Sequence, residues 1–277
     1  MTDALRASLG MYDGGELAVA NDRLWSGVAA RLHASGVRDL PATLDRDTPL
    51  AAQWRSGRLV LGQTCGYPLA TRFATDLRAV AAPVYAVDGC EGATHRSFVV
   101  VHRRARADRL EDLRGARAVV NEPSSNTGRH LLGDAVASVG GGPGFFRDVI
   151  ESGSHARSLE LVAEGGADVA AIDCVTFAAL ARLAPALTLR TRILHRTRAV
   201  PSLPFVVSAK LGVPIAARVA QALVEALADR ATEGARSALR LSCVVPVTAD
   251  AYDVTRAIAA RADVVFSAAR AQPVHGR

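Results

Sequence analysis

The chain is 277 residues long, 49% hydrophobic and 22% charged, an ordinary globular composition sufficient for one large domain or two smaller ones. Its net charge of +6 raises nucleic-acid binding. The arginines are scattered, however, and no basic-aromatic platform, zinc spacing or basic zipper region accompanies them, so nucleic acid is not an expected partner.

From the N-terminus, an apolar run at 7–11 predicts a strand that runs into Tyr12 and Asp13, and an amphipathic stretch predicts a helix at 17–35. Thr48 and Pro49 open a helix over 48–56, with proline at its first position. A strand at 58–61 leads into the loop GQTCGYPL at 62–69, where Tyr67 can offer a hydroxyl or simply pack. Strands follow at 80–84, 97–102 and 116–120, then the polar turn NEPSSNTGR at 121–129 and a helix at 127–139. A strand at 148–150, the turn ESGSHARS at 151–158 and a helix at 156–164 repeat that order. So do a strand at 167–172, Asp173 and a helix at 174–182. Strands at 187–194 and 204–207 and helices at 214–231 and 252–262 complete the series. Alternation of this kind predicts an α/β fold with mostly parallel sheets.

Two loop-rich stretches, 87–94 and 197–204, read as crossings between lobes. The expected division is therefore a discontinuous first lobe, 1–88 with 200–277, and a second lobe over 89–199. Cys65, Cys90, Cys174 and Cys243 include no C-x-x-C pair, and their spacing fits neither a disulfide framework nor a zinc site. Cys174 and Cys243 lie in apolar runs and read as buried thiols. The first ten residues hold an acid and no apolar stretch of signal-peptide length. As it stands the chain is expected to be cytoplasmic, or periplasmic if an export signal has been removed. No apolar run is expected to span a bilayer.

The turn at 121–129 carries the most chemistry. Ser124, Ser125, Asn126 and Thr127 sit where a strand feeds a helix. There, unpaired main-chain N–H groups, hydroxyls and the positive end of the helix dipole converge on one point. Such a point suits a phosphate, phosphonate, sulfate or carboxylate. The same residues are preferred N-caps, and capping alone would explain them. His155 begins the next helix, where a neutral imidazole can still donate to an anion. Asp173 is either an N-cap or an acid at a strand's C-terminal end, where ligands bind in open α/β sheets. Cys65 beside Thr64 and Tyr67 raises a nucleophile reading, which needs a base that sequence does not locate.

Taken together, VNEPSSNTG at 120–128, SGSH at 152–155, SLELV at 158–162 and GADVAAID at 166–173 resemble the phosphonate-binding, PhnD-like periplasmic solute-binding proteins. The resemblance is specific over about residues 95–180 and is one of layout elsewhere. It implies a two-lobed type II periplasmic-binding-protein fold, with each lobe a mixed, mostly parallel sheet flanked by helices and the ligand held between them. It implies a small anionic ligand and an ABC importer permease as partner. It further implies that Ser124, Ser125, Asn126 and Thr127 form the anion turn, with His155, Asp173, Tyr12 and Tyr67 contributing. Asn126 departs from the family's Ser/Thr-rich turn. No cofactor, metal or catalytic residue is expected, and the expected assembly is a monomer or weak dimer without membrane insertion. Two other readings stay open: a cytoplasmic enzyme on the same fold, similar to menaquinone-pathway dehydratases with His155 or Asp173 as base, and a ligand sensor acting through a partner.

Overall fold

The computed structural model describes residues 4–272. The first residues of the signal-peptide reading, 1–3, lie outside them. In chain order the first elements are β1 (Arg6–Ala7), α1 (Glu16–Ala34), α2 (Leu50–Arg55), β2 (Leu59–Gln63), α3 (Gly66–Ala70) and β3 (Leu77–Tyr85). Next come β4 (Thr94–His95), β5 (Ser97–His102), β6 (Arg117–Val120), α4 (Leu131–Ser138), β7 (Asp148–Glu151) and α5 (His155–Glu164). They are followed by β8 (Val169–Asp173), α6 (Cys174–Leu183), α7 (Pro185–Leu189), β9 (Thr191–Arg196) and β10 (Val200–Pro201). The last are β11 (Phe205–Ser208), α8 (Gly212–Ala228), α9 (Glu233–Leu239), β12 (Leu241–Val245), α10 (Val254–Phe266) and β13 (Arg270–Gln272).

The chain divides into two compact units. Unit 1 lies within Met1–Ala86, Glu91–Ala93 and Pro201–Tyr252, and unit 2 within Val87–Cys90, Thr94–Val200 and Asp253–Arg277. Unit 1 is built on a sheet of order β1-β2-β11-β3-β12. β1 and β2 are parallel, whereas β11 is antiparallel to both β2 and β3, and β12 is antiparallel to β3. Trp54, Leu59, Leu69, Phe73, Val206 and Tyr252 form one of its apolar clusters. The Tyr252 hydroxyl is buried there and donates to the Ser202 carbonyl at 2.8 Å, which satisfies a group that would otherwise be costly to bury.

One helix of unit 1 is more apolar than the sequence reading anticipated. The stretch Ala209–Ala228 is long and apolar enough to cross a membrane by length and composition. Its helix α8 packs against the unit 1 strands β2, β3, β11 and β12 and against α1. Ala216, Val219, Ala222, Leu223, Ala226 and Leu227 are buried at one-turn intervals, the stripe of a helix lying on a sheet.

Unit 2 has a six-stranded sheet of order β13-β7-β6-β8-β5-β9. β13, β7, β6 and β8 are mutually parallel, and β5 runs antiparallel to both β8 and β9. Its core joins Val99, Val120, Val136, Phe146, Val169 and Phe266, among others.

The C-terminal helix α10 belongs to this core rather than to unit 1, unlike the division expected from sequence. Three contacts explain it. A Cβ on Gly133 would lie 2.5 Å from the Ala262 Cβ and 2.6 Å from its Cα, so the absent side chain lets α4 and α10 cross closely. Phe266 stacks on Phe146 with ring centroids 5.3 Å apart. The nearly buried Asp134 carboxylate of α4 holds Arg261 at 2.5 Å and Arg198 at 3.2 Å.

Other departures are local. Residues 187–189 are helical in α7 and the strand starts only at Thr191, because Pro185 favours a helix start. The segment Gly10–Tyr12 is a 3-10 turn instead of the end of a strand.

Candidate functional site

The order of the unit 2 sheet assembles the candidate site. β7, β6 and β8 are adjacent and parallel, so the turns after Glu151, Val120 and Asp173 emerge side by side at one edge. In open α/β sheets this carboxyl edge is where ligands bind. β5 is antiparallel to β8 and pairs Ser97 with Asp173, so the start of β5 reaches the same edge. Main-chain bonds fasten two of these turns to each other. The Ser152 N–H donates to the Val120 carbonyl at 2.9 Å, and the Gly153 N–H to the Asn121 carbonyl at 2.8 Å.

The turn at 121–130 opens with one wide π-helical turn, Asn126–His130, before α4 begins. Such turns widen the helix start and are frequent at functional sites. Ser125 is its N-cap: its Oγ accepts from the Gly128 N–H at 3.0 Å. That bond gives Ser125 a capping role. Ser124 is only half-buried, and its hydroxyl donates to the exposed Glu122 carboxylate at 3.1 Å.

Asn126 and Thr127 differ. Both are buried, and among the described residues their main-chain N–H groups find no acceptor. The Asn126 Oδ1 is also buried without a hydrogen-bond partner among the described residues. Half a turn of that carboxamide exchanges an acceptor for a two-hydrogen donor. Thr127 is held from both ends. Its carbonyl accepts from the Ser97 hydroxyl at 2.8 Å, and its own Oγ1 lies 2.9 Å from His155 Nε2.

His155 is the first residue of α5, whose N-cap Ser154 accepts from the Arg157 N–H at 3.1 Å. Burial pushes its imidazole pKa down, with help from the His95 ring. Asp173 and the Ala171 main chain oppose this, and the net direction is down. Near pH 7 the ring is accordingly neutral, one nitrogen a donor and the other an acceptor. Asp173 caps α6, its Oδ1 accepting from the Val175 N–H at 2.9 Å and the Thr176 N–H at 3.0 Å. Its Oδ2 lies 2.8 Å from His95 Nδ1, both side chains being almost fully buried. Burial raises the Asp173 carboxyl, but His95, His155 and the helix N–H groups outweigh it and hold the group below the usual carboxylate range. The result is a rank of neutral donors backed by a buried ionised carboxylate.

Six of the eight residues named from sequence thus share unit 2: Ser124, Ser125, Asn126, Thr127, His155 and Asp173. Tyr12 and Tyr67 are in unit 1. Tyr12 ends the 3-10 turn and meets Tyr85 edge-to-face at 5.6 Å, and its carbonyl accepts from the Asn21 carboxamide at 2.8 Å. Tyr67 lies in α3, where its carbonyl accepts from the Thr71 hydroxyl at 2.6 Å. Cys65, the nucleophile considered from sequence, is buried just ahead of α3. Sequence reasoning left out Ser97, and it had His95 only as one of four histidines, with His102, His130 and His155, that could serve as a base. Only the β5–β8 register brings Ser97 and His95 to the site, and that pairing joins positions more than seventy residues apart.

The sequence matches the ABC-transporter phosphonate periplasmic substrate-binding protein family over residues 46–252. No curated protein matches it. Among solved structures it resembles the binding-protein component PA3383 of an ABC phosphonate transporter from Pseudomonas aeruginosa. That likeness has a TM-score of 0.75 and 16% identity over 94% of this chain and 87% of that one. PhnD1 from Prochlorococcus marinus, in complex with methylphosphonate, matches with a TM-score of 0.73 and 14% identity over 93% and 97%. XAC2383 from Xanthomonas citri, bound to ATP, matches with a TM-score of 0.71 and 17% identity over 95% and 98%. At these identities the likenesses establish the fold: a mixed α/β protein of the type II periplasmic-binding class, its sheets flanked by helices.

Proposed function

This chain belongs to the ABC-transporter phosphonate periplasmic substrate-binding protein family, and from that premise we propose that it binds a small phosphorus oxyanion at the turn Asn126–His130. A phosphonate, phosphate or phosphite would accept from the main-chain N–H groups of Asn126 and Thr127 and from the Asn126 carboxamide. The Thr127 hydroxyl and the His155 ring would complete the contacts. Hydrogen bonds to an ionised acceptor are about twice as strong as neutral ones. The observation that most supports the reading is at Asn126 and Thr127. These two buried residues present N–H groups and a carboxamide oxygen with no partner among the described residues, although buried polar groups are as a rule paired.

Asp173 has a supporting role. It caps α6 and biases the His155 electrostatics from behind. Catalysis is less well supported by the pairing seen. His155 meets a threonine hydroxyl, whereas the Asp173 carboxylate is paired with His95, so among the described residues no carboxylate is bonded to His155 to orient it as a base. The methylphosphonate held by PhnD1 is the natural first probe. The family is normally periplasmic and is the substrate-binding component of ABC importers. We therefore assign the captured anion to a permease of that class as recipient.

The test is calorimetric titration of methylphosphonate, phosphate, phosphite, sulfate and ATP into the wild type and Thr127→Ala. At least one phosphorus oxyanion should bind the wild type, with Thr127→Ala weakening it on the order of tenfold, the loss of one hydrogen bond to a charged group. Equal affinity in both proteins, or no binding of any probe, would sink the proposal. Tyr12→Phe and Tyr67→Phe belong in the same titration. The two tyrosines are assigned on family resemblance, and an unchanged affinity in both would remove them from the site.

A further inference from the structure

The four cysteines look unrelated in sequence, yet two of them meet in unit 2. Cys90 Sγ lies 3.5 Å from Cys174 Sγ. Cys174 is buried as the first residue of α6, directly after the Asp173 cap, and Cys90 is half-buried at the end of a turn. Cys65 and Cys243 belong to unit 1, one buried in the core and the other exposed on β12.

The turn that carries Cys90 is firmly built. The Cys90 N–H donates to the Val87 carbonyl at 3.2 Å. Asp88 is gripped by both guanidinium nitrogens of Arg196, at 2.8 and 2.6 Å, and that guanidinium lies over the Phe98 ring at 4.7 Å. Gly89 has a φ of +91°, and a Cβ there would fall 2.8 Å from the Cys174 Cβ and 3.0 Å from the Phe98 ring. Only glycine lets this turn lie so close to the start of α6. The thiols are thus pre-positioned by the turn and by the packing around it.

We propose that Cys90 and Cys174 are a disulfide-forming pair, bridged in an oxidising compartment to tie the turn Val87–Cys90 to the start of α6. Closure from the thiol geometry to a bond of about 2.05 Å needs the sulfurs to approach by about 1.5 Å, within reach of small side-chain rotations. The family is normally periplasmic, and disulfides persist in that compartment. The co-reactant is a small-molecule or protein disulfide. The half-buried Cys90 loses its proton and attacks one sulfur of that disulfide, expelling the other as a thiolate. Cys174 then loses its proton and attacks the Cys90 sulfur, expelling the second thiolate. Two electrons and two protons pass to the oxidant, which leaves as two thiols. The bond would close a loop of more than eighty residues, long enough for a large loss of unfolded-state freedom. This inference stands independently of the ligand proposed above.

The full chain in a Cys243→Ser background, which removes the exposed thiol, is treated with oxidised glutathione and then denatured for thiol counting. The titratable thiols should fall from three to one. Peptide mapping without reductant should give a single linked pair containing Cys90 and Cys174, and the Tm should rise by about 5 °C or more. Reductant should reverse all three changes, and Cys90→Ala in the same background should show none of them. Three thiols persisting after oxidation, a linkage through Cys65, or a bond that leaves the Tm unchanged would each overturn the proposal.

Discussion

The two units present their polar turns by different means. In unit 2, three adjacent parallel strands, β7, β6 and β8, each end at the same edge, and each is followed by a helix start. Turns that are independent in sequence become neighbours in space without any long-range pairing beyond strand order. In unit 1, β11 runs antiparallel between β2 and β3, so the end of β2 adjoins the start of a distant strand, with Gln63 paired to Phe205. Its candidate residues Tyr12 and Tyr67 ride on a 3-10 turn and a five-residue helix. Parallel order turns a local pattern into a site, whereas antiparallel order hides the site's partners elsewhere in the chain.

The largest expected effect tests whether unit 2 depends on the C-terminal helix as its packing indicates. Gly133→Ala should improve intrinsic helix propensity by about 1 kcal/mol. Against that, its Cβ would collide with the Ala262 backbone, which cannot swing aside as a side-chain tip can. The net expectation is a loss of about 3 kcal/mol, or a Tm lowered on the order of 10 °C. Hydrogen exchange should accelerate first in α4 and α10 while β3 of unit 1 keeps its protection. A Tm equal to or above the wild type would mean that α10 is not seated on α4 in solution.

The same contrast explains what was legible in the sequence. The turn at 121–129, His155 and Asp173 could be read because each is a strand-to-helix turn with a cap, a purely local signal. β5 could be read because Ser97–His102 is a continuous apolar run buried on both faces. β12 was missed because its middle residues Ser242 and Cys243 are exposed, which breaks the alternation. β13 was missed because Arg270–Gln272 is a fully exposed edge of three residues, carried by pairing to β7 and not by any pattern of its own. His95 and the Cys90–Cys174 approach share one cause, since both are products of long-range packing around β5 and the start of α6.

An intermediate effect concerns pH. His130 closes the π turn of unit 2, and burial, with Arg129 beside it, pushes its imidazole down to about 4. The unfolded chain therefore binds a proton at this site at a higher pH than the folded chain does, and stability must rise with pH across that interval. The stabilisation is complete above about pH 6.5 and is lost as the pH falls towards 4, at a cost of roughly 2–3 kcal/mol. Urea denaturation at pH 7, 5.5 and 4.5 should show this decline, and His130→Gln should flatten it relative to the wild type. A decline of the same steepness in both proteins would assign the acid sensitivity to other groups.

The smallest effect separates capping from binding within a single turn. Ser124 and Asn126 are two residues apart in a stretch that sequence treats as one polar cluster. Ser124 spends its hydroxyl on the exposed Glu122 carboxylate, whereas Asn126 is buried with an unpartnered carboxamide oxygen. Ser124→Ala should change stability by no more than about 0.5 kcal/mol, as exposed substitutions usually do, and leave oxyanion affinity within about twofold. Asn126→Ala removes a buried carboxamide oxygen that costs free energy while unpaired, so the protein without ligand should be unchanged or slightly more stable. Its oxyanion affinity should nevertheless fall about tenfold. That opposition of stability and affinity marks a residue kept for a ligand. If Ser124→Ala proved the more damaging of the two for affinity, the contact would have to move outward to the exposed lip of the turn.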